Sequence, residues 1–542
     1  MGSGGPRRAR TTPKLADKNI WFKAQALLLS WLIRVAGLLD SKPFLCVAII
    51  TTCLLPLGIL EARSNPLSSD EIYTVHIAKA PSLPAMLALA REIDLHPPLH
   101  YLAQRIALRS PLPRWLASRM PSLIAAFVCC LVLYRWTAAR LGNLLGLVSI
   151  CILWLSPALD YAWSNRPYML WMAFLCLLLL ARDVATRWRR PRWAVPLVFL
   201  LTLSMVMTHL LGIACIGPFL IAEGLRARRL RRIDWPLVFA FLLPGLCGLR
   251  FFYQIHHLSD NAFPAVNLPS MEMAVGLFEI IIGNTAVVLS GCLIAAVVLC
   301  GRDQKRLATA TVAEPRACLD GFSREESALL FSLLFLPAVL LLVFHAMHMQ
   351  FWQRYGLAAA PAWAALAAWM LARRLPATRL VAVIFLISSV GYMVGRMVTE
   401  SRPPGNAGTV VGGRRPIPLA TLDPTLPIVA ASPMTYVEMS DRENPQIARR
   451  VFYLTDRDAE IRYAHYTLFD NEDKIRRLLG LSSHTEEMSR FLSEHTVFYV
   501  VGDYKDKEIW LLRALAEDGM QLDYLGKFQS TYGSNDLYEV SR

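Results

Sequence analysis

The feature that most constrains this 542-residue chain is a series of eleven apolar segments close to the length of a membrane-spanning helix. A helix needs about 20 mainly apolar residues to cross the hydrocarbon core of a bilayer. The chain is 55% hydrophobic and only 18% charged, against about 25% charged in soluble domains. The sequence therefore predicts a polytopic α-helical membrane protein and excludes a disordered chain. The predicted spans are 44–61, 115–136, 143–161, 167–183, 193–208, 210–225, 235–254, 273–300, 327–346, 355–372 and 380–398.

A further apolar stretch, residues 20–40, precedes the first span but contains Lys23, Arg34 and Asp40. Charges at these positions favour an amphipathic helix that lies on the membrane surface. A twelfth span in this region is the alternative.

Charged residues divide the chain into a basic front and a mildly acidic tail. Residues 1–399 carry 39 Lys and Arg against 19 Asp and Glu, whereas residues 400–542 carry 17 against 22. The basic loops, such as RWRRPR (187–192) and RARRLRR (226–232), fall on one side of the membrane when the spans are counted. An excess of Lys and Arg marks the cytoplasmic side. We therefore expect a cytoplasmic N-terminus, an outer loop at 62–114 and an outer tail, and no nucleic-acid partner.

The tail, residues 400–542, has the pattern of a soluble α/β domain, joined to the membrane domain (1–399) by a Pro- and Gly-containing linker at 401–420. Strands that alternate with helices favour a small parallel or mixed sheet. The predicted strands are 427–431, 451–454, 496–501, 520–528 and 536–540, and the predicted helices are 485–494 and 507–517.

The outer loop carries two adjacent acids, Asp70 and Glu71, directly after the first span. Ser68 and Glu71 match a capping box, so these acids could simply begin a helix. A carboxylate at the border of membrane and water can also accept a proton from a hydroxyl nucleophile. His96 and His100 have the spacing of a helical metal pair, but the two prolines between them argue against that reading.

Five motifs follow one another along the membrane domain: Asp70-Glu71, HPPLHYL (96–102), SNRPYML (164–170), His209 between the fifth and sixth spans, and QRYGLAAAP (353–361). In this order they resemble the GT-C superfold of polyprenyl-phosphate-dependent glycosyltransferases. The resemblance is closest to the bacterial branch related to protein O-mannosyltransferases and aminoarabinose transferases. The tail is similar to the outer domain of many such proteins and unlike the insert of the protein mannosyltransferases, so a protein acceptor is not implied.

The resemblance implies an inverting transfer of a sugar from a polyprenyl-phosphate donor at the outer face of a bacterial inner membrane. Asp70 would be the general base for the acceptor hydroxyl. Glu71 would orient Asp70 or share a divalent cation with it, and the sequence leaves metal dependence undecided.

The departing phosphate also needs cations at the depth of the membrane border. Arg166 and Arg354 lie at the outer ends of spans and suit phosphate geometry, although an arginine that snorkels to lipid headgroups is the alternative. His209 interrupts an apolar stretch, so it either contacts the donor or makes a hydrogen bond between helices. The predicted donor-binding residues are Arg166, Tyr168, Arg354, Tyr355, His96 and His209.

Two other functional classes remain open at this point. One is a transporter or flippase of lipid-linked sugars, although such proteins often have paired halves and no matched halves are found here. The other is a non-catalytic membrane scaffold. The sequence does not specify the sugar, and an envelope glycan, a lipid and a protein all remain possible acceptors.

Overall fold

The computed structural model describes residues 14–94, 96–187, 189–262, 270–300, 321–348, 351–374, 378–401, 417–464, 472–505, 509–530 and 533–542. Among the predicted features, the basic residues before Lys14, most of the connection between the predicted spans 273–300 and 327–346, and most of the linker 401–420 lie outside these ranges.

Up to Glu400, every regular element of the described residues is a helix. The helices are α1 (Lys14–Ser41), α2 (Pro43–Ser64), α3 (Ser69–Ala78), α4 (Leu83–Ile93), α5 (Leu99–Ala107), α6 (Arg114–Ala117), α7 (Met120–Leu141), α8 (Asn143–Trp154), α9 (Tyr168–Ala185), α10 (Ala194–Thr208), α11 (Gly212–Leu230), α12 (Trp235–Ala262), α13 (Met271–Ile282), α14 (Thr285–Cys300), α15 (Arg324–Ala346), α16 (Ala360–Arg374) and α17 (Thr378–Glu400). Two 3-10 helices, Pro157–Trp163 and Gln353–Ala359, lie before α9 and α16.

Among the described residues, six long apolar helices and two bent helix pairs account for eight of the eleven predicted spans, and the seventh long helix is α1, which precedes them. Within the described ranges, seven helices are long and apolar enough to cross a membrane, or up to nine candidates if each of two bent helix pairs is one span. Each of the eleven predicted spans coincides with a helix or a bent pair, although α10 and the apolar part of α12 are short and α11 carries several arginines. The prediction of a polytopic helical membrane protein is confirmed.

Two spans bend at the end of the bundle that carries the loop between α2 and α7, which we call the loop end. The axis turns by 80° from α8 into the 3-10 helix Pro157–Trp163, and by 53° between α13 and α14. The two bends touch, because the Asn284 backbone N–H donates to the Leu155 carbonyl (2.9 Å). Gly283 has a φ of +51°, and a Cβ there would lie 2.2 Å from the same Leu155 oxygen, so only glycine fits. The bend after α8 brings the segment before α9 to the loop end.

Helix α1 contains a segment, Ala24–Ser41, that is long enough to cross a membrane, yet both ends of this segment contact the end of the bundle opposite the loop end. Gln25 donates to the Val298 carbonyl (3.3 Å) in the last turn of α14. The Asp40 carboxylate accepts from the Leu144 backbone N–H (2.9 Å) at the start of α8 and lies 3.6 Å from Arg379 at the start of α17. These contacts support the predicted surface helix.

The C-terminal domain is built on a mixed six-stranded sheet with the strand order β3-β2-β1-β4-β6-β5. Strands β1 to β4 are parallel, and β6 runs antiparallel to both β4 and β5. The prediction of a C-terminal α/β domain is confirmed. The strands are β1 (Ile428–Ala430), β2 (Val451–Thr455), β3 (His484–Glu487), β4 (Val497–Gly502), β5 (Gln521–Ser530) and β6 (Gly533–Ser541), and the helices are α18 (Pro433–Arg442), α19 (Pro445–Ala448), α20 (Arg457–Ala459), α21 (Glu472–Leu479), α22 (Met488–Glu494) and α23 (Leu511–Glu517).

One predicted helix of this domain, 485–494, is partly wrong. Strand β3 occupies His484–Glu487, and the helix begins only at Met488. The segment HTEE has weak β propensity, but it pairs in register with β2 from Phe452 to Thr455. Pairing with a neighbouring strand overrides the local preference.

Helices cover the sheet on two faces, but one of these helices comes from the membrane domain. One face packs in a cluster with residues of α22 and α23, among them Phe491 and Leu512. The cluster on the other face contains Tyr436 and Val437 of α18 together with Ile72 and Val75 of α3. The loop helix α3 therefore belongs to the core of the C-terminal domain.

Candidate active site

Asp70 lies in the first turn of α3, at the loop end of the bundle. The helix has the predicted capping box. A Glu71 carboxylate oxygen accepts from the Ser68 backbone N–H (2.9 Å), and the Ser68 side chain accepts from the Glu71 backbone N–H. A carboxylate in the first turn is favoured by the helix dipole. The Asp70 side chain remains 30% exposed, so the cap fixes its backbone and leaves its carboxylate accessible.

The neighbouring Glu71 side chain is buried and fully engaged. One oxygen accepts from the Asn165 backbone N–H (2.5 Å) and from Arg119 Nε (3.3 Å), and the other contacts Arg119 Nη2 at 3.2 Å. Arg119 also donates to the carbonyls of Ala62 and Asn65 at 2.7 and 2.6 Å. Glu71 thus fastens α3 to the end of α2 and to the segment before α9.

Arg166 lies beside Asp70 and is held by a second carboxylate, Asp94, at the end of α4. Its Nη1 donates to an Asp94 oxygen at 3.0 Å and to the Asp70 carbonyl at 3.2 Å. Its Nη2 lies 3.6 Å from the Asp70 carboxylate and donates to His96 Nε2 (3.1 Å). Tyr101 donates its hydroxyl proton to the same Asp94 (2.7 Å). Asp94 therefore neutralises Arg166 and fixes its direction.

Arg354 approaches Asp70 from the 3-10 helix before α16 and makes much looser contacts. Its Nη1 is 3.9 Å from the Asp70 carboxylate, and its side chain is 30% exposed. The guanidinium lies over the ring of Trp352, 4.8 Å from its centroid, and 5.8 Å from that of Tyr168. A cation over aromatic faces is stabilised without losing its hydrogen-bonding capacity.

Aromatic and imidazole rings form a wall next to the two arginines. His209, in the turn between α10 and α11, stacks on Trp171 with ring centroids 5.0 Å apart. It also lies 5.3 Å from His96, 5.2 Å from Tyr168 and 6.3 Å from Tyr355. His209 Nδ1 accepts from the Leu211 backbone N–H (3.2 Å), which leaves the proton on Nε2.

The site histidines are held neutral. Burial, together with the charges of Arg166 and Arg354, keeps the pKa of His96 well below its ordinary value. Burial and Arg166 lower the pKa of His100 to about 4. Near pH 7 the formal charges around Asp70 are therefore those of arginines and carboxylates, and His96 can accept the proton that Arg166 donates.

Two solved structures are similar in fold to this chain. They are crystal structures of ArnT from Cupriavidus metallidurans, one in the apo state and one bound to undecaprenyl phosphate, with TM-scores of 0.52 and 0.50. Sequence identity is 12% in both cases, and the alignments cover 91% of this chain and 97% of the ArnT chains. The chain has the ArnT fold. The GT-C superfold expected from the motifs is thereby confirmed, whereas no protein-family model and no curated protein sequence matches the chain.

On this ArnT fold, seven of the eight residues predicted from the sequence lie in one connected cluster, and the eighth, Glu71, lies beside it. Asp70 is at its centre and Glu71 faces away from it, into the anchor formed with Arg119. The remaining members are Arg166, Arg354, His96, His209, Tyr168 and Tyr355.

Sequence reasoning missed three contributors to the cluster: Asp94, Arg119 and Trp171. Asp94 stands two residues before HPPLHYL, where an acid in the outer loop was a usable signal. Trp171 follows Tyr168 at i+3, the spacing that puts both side chains on one helix face. Nothing near Arg119 in the sequence points to its partner Glu71, 48 residues away.

Metal binding was left undecided by the sequence. In the described part of the ArnT-like fold, no group of three or more His, Cys, Asp or Glu side chains converges in a way that could hold a metal ion. Both Glu71 oxygens already accept hydrogen bonds from the protein, so this side chain offers little to a cation shared with Asp70.

Proposed function

We propose that the protein is an inverting integral-membrane glycosyltransferase that moves a sugar from a polyprenyl-phosphate donor to an acceptor hydroxyl, with Asp70 as general base. The observation that carries the proposal is a partly exposed carboxylate set 3.6 and 3.9 Å from two guanidinium groups at one end of an apolar bundle. A lipid-linked sugar phosphate has its reacting carbon and its anion at this border between hydrocarbon and water. The likeness of fold to ArnT, solved with bound undecaprenyl phosphate, supports this donor class.

In the proposed step, Asp70 removes the proton of the acceptor hydroxyl as its oxygen bonds to the anomeric carbon. The bond between that carbon and the phosphate oxygen breaks, and the electron pair leaves with the lipid phosphate. Attack from the side opposite the leaving group inverts the configuration. General-base assistance of this kind contributes about 10²–10⁴-fold to a rate. Glu71 acts as a positioning residue, because its contacts hold the helix that carries Asp70.

The two arginines have different roles in this proposal. The Nη groups of Arg166 already contact Asp94, His96 and the Asp70 backbone, and its side chain is only 7% exposed. We assign Arg166 to the positioning of Asp70.

Arg354 keeps its hydrogen-bonding capacity for a ligand. Its only described acid contact is the 3.9 Å approach to Asp70. Its Nε, like that of Arg166, has no hydrogen-bond partner among the described residues, but only Arg166 has both Nη groups engaged by another carboxylate. We assign Arg354 to the donor phosphate, whose departing negative charge a bidentate guanidinium stabilises.

His209 supplies a further ligand group. Its Nε2, which carries the proton, is buried without a hydrogen-bond partner among the described residues. An unsatisfied buried donor costs about 1–3 kcal/mol, and an oxygen of the sugar phosphate would satisfy it. The rings of Tyr168, Tyr355 and Trp171 around His209 then give the sugar an apolar wall.

We infer that the loop end faces the periplasm of a bacterial inner membrane. The basic loops after α9 and α11 lie at the opposite end of the bundle, which is the cytoplasmic side by the positive-inside rule. Residues 1–399 then form the catalytic membrane domain and residues 400–542 a periplasmic domain. The acceptor is an envelope glycan, lipid or protein that presents a hydroxyl group there.

The test is release of polyprenyl phosphate by the purified full-length protein in nanodiscs, supplied with synthetic undecaprenyl-phosphate sugars and envelope extracts and followed by mass spectrometry. We expect turnover by the wild type and loss of at least about 10²-fold in Asp70→Asn. Asp160→Asn is the matched control, because Asp160 lies at the same end of the bundle, is 52% exposed and pairs only with Arg396 among the described residues.

Two results would contradict the proposal. Normal turnover by Asp70→Asn removes Asp70 from the role of base. Movement of intact donor across a proteoliposome membrane without release of polyprenyl phosphate favours a flippase instead.

A further inference from the structure

Helix α3, which carries Asp70, is held between two bodies. Its first turn is fastened to the membrane domain through Glu71, Arg119 and Asn165. Its second half contacts the rest of the loop and the C-terminal domain. A helix of ten residues is not stable alone in water, so its direction depends on both attachments.

The second attachment centres on Asp441, in the last turn of α18. One Asp441 oxygen lies 3.0 Å from His76 Nε2, in the last turn of α3. Both oxygens accept from Arg114 Nη2 at 2.9 Å, at the start of α6. The Asp441 side chain is 8% exposed. Burial alone would raise the pKa of Asp441, but His76 and Arg114 hold it below its usual value, so the carboxylate is charged and ties α3 and α6 to α18.

Apolar contacts reinforce the same attachment. Ile72 and Val75 are fully buried in the cluster that contains Tyr436 and Val437 of α18 and Val501 of β4. Burying a side chain of this size stabilises by about 1.5–3 kcal/mol. The C-terminal sheet therefore holds the face of α3 that the membrane domain does not.

A second ionic contact between the loop and the C-terminal domain differs in kind. Lys474 of α21 pairs with Glu92 of α4, but these side chains are 56% and 48% exposed. Exposed pairs contribute about 0–1 kcal/mol. This pair is a natural control for the buried one.

We propose that the C-terminal domain positions the general base, with Asp441 as its positioning residue acting through His76 and α3. The inference rests on the proposed role of Asp70. Asp70 lies six residues before His76, about 9 Å along the helix axis, so a tilt of α3 at its far end moves Asp70 relative to Arg354. A displacement of about 1 Å can lower a rate about 10²-fold.

The test compares Asp441→Asn with Lys474→Ala in the full-length protein in nanodiscs. We expect kcat to fall about 10–100-fold in Asp441→Asn, with the KM for the undecaprenyl-phosphate sugar changed less than about twofold, because Arg354 does not contact the C-terminal domain in the described structure. Amide hydrogen exchange should rise over 74–79 and stay unchanged in α7 and α9. Lys474→Ala should leave all three readouts at wild-type values.

A milder variant keeps the test decisive if Asp441→Asn does not fold. Arg114→Gln removes one of the two partners and should lower kcat and raise exchange in α3 in the same directions, by less. Wild-type kcat and wild-type exchange of α3 in both variants would overturn the inference. The exchange readout does not depend on catalysis. If Asp70 is not the base but Asp441 holds α3, exchange still rises over 74–79; if Asp441 does not hold α3, exchange stays at the wild-type value.

Discussion

Two groups of acids and arginines at opposite ends of the helical bundle differ in how closely they are paired, although the loop end also has a buried pair of its own, Glu71 with Arg119. At the end opposite the loop end, Arg182 and Arg226 both pair with Glu223 at 2.8 and 2.9 Å, and the side chains of Arg182 and Glu223 are 5% and 4% exposed. At the loop end, Asp70 stands 3.6 and 3.9 Å from its two arginines and is 30% exposed. Short, saturated pairs join helices, whereas long, unsaturated ones keep hydrogen-bonding capacity for a ligand.

The largest change in free energy should come from the group of Arg182, Glu223 and Arg226, opposite the loop end. Arg182→Ala removes one partner of buried Glu223, and breaking a buried pair costs about 3–5 kcal/mol. Since Arg226 remains, we expect the lower end of that range and a lowered midpoint of thermal unfolding in detergent, followed by tryptophan fluorescence. The KM of the folded fraction for the donor should not change. An unchanged midpoint would contradict the structural role of this pair.

At the loop end, Arg354→Ala should reverse that pattern. We expect kcat/KM for the lipid-linked donor to fall about 10²-fold, equivalent to about 2.7 kcal/mol, while the unfolding midpoint stays at the wild-type value. Arg354→Lys should recover only part of the loss, because an ammonium keeps the charge without the bidentate geometry. Equal loss of stability in Arg182→Ala and Arg354→Ala would remove the distinction between the two ends.

Substitution of Asp94 tests whether its ion pair with Arg166 is what gives Arg166 and Arg354 different roles. In Asp94→Asn, Arg166 loses its main anionic partner, and we expect it to close on the Asp70 carboxylate and compete with the acceptor hydroxyl. The expected result in a steady-state assay is about a tenfold drop in kcat with little change in the donor KM. A raised KM with normal kcat would instead make Arg166 a phosphate ligand.

The smallest predicted effect is a loss of folding stability at acidic pH. The pKa of His100 is lowered to about 4 by burial and Arg166, so below pH 6.5 the unfolded chain binds a proton that the folded chain does not. Stability is therefore complete above about pH 6.5 and is lost as the pH falls toward 4, by about 1 kcal/mol between pH 7 and 5.5. Thermal unfolding at both pH values should show a smaller loss in His100→Gln. The same loss in both proteins would assign the pH dependence to other groups.

The sequence was sufficient for features that depend on local pattern. The apolar spans, the capping box at Ser68 and Glu71, and the exposed acid Asp70 all follow from neighbouring residues. The order of the motifs indicated that Arg166 and Arg354 share a site, although 188 positions separate them.

What the sequence could not provide were the pairings set by tertiary packing. Both arginines had the same local signature, and only the contact of Arg166 with Asp94 assigns them different roles. Strand β3 was likewise hidden, since its pairing with β2 is stronger than the preference of its own residues. The contact between His76 and Asp441 joins residues 365 positions apart.

The presence of α3 within the C-terminal core limits how this protein can be divided or recombined. A chain cut near position 400 would leave Ile72 and Val75 uncovered on one fragment and Tyr436 and Val437 uncovered on the other. Neither fragment would be a self-contained module. If the C-terminal domain were exchanged with that of a relative, the matching stretch of the first loop would have to be exchanged with it. The two segments therefore have to change together, although they lie far apart in the sequence.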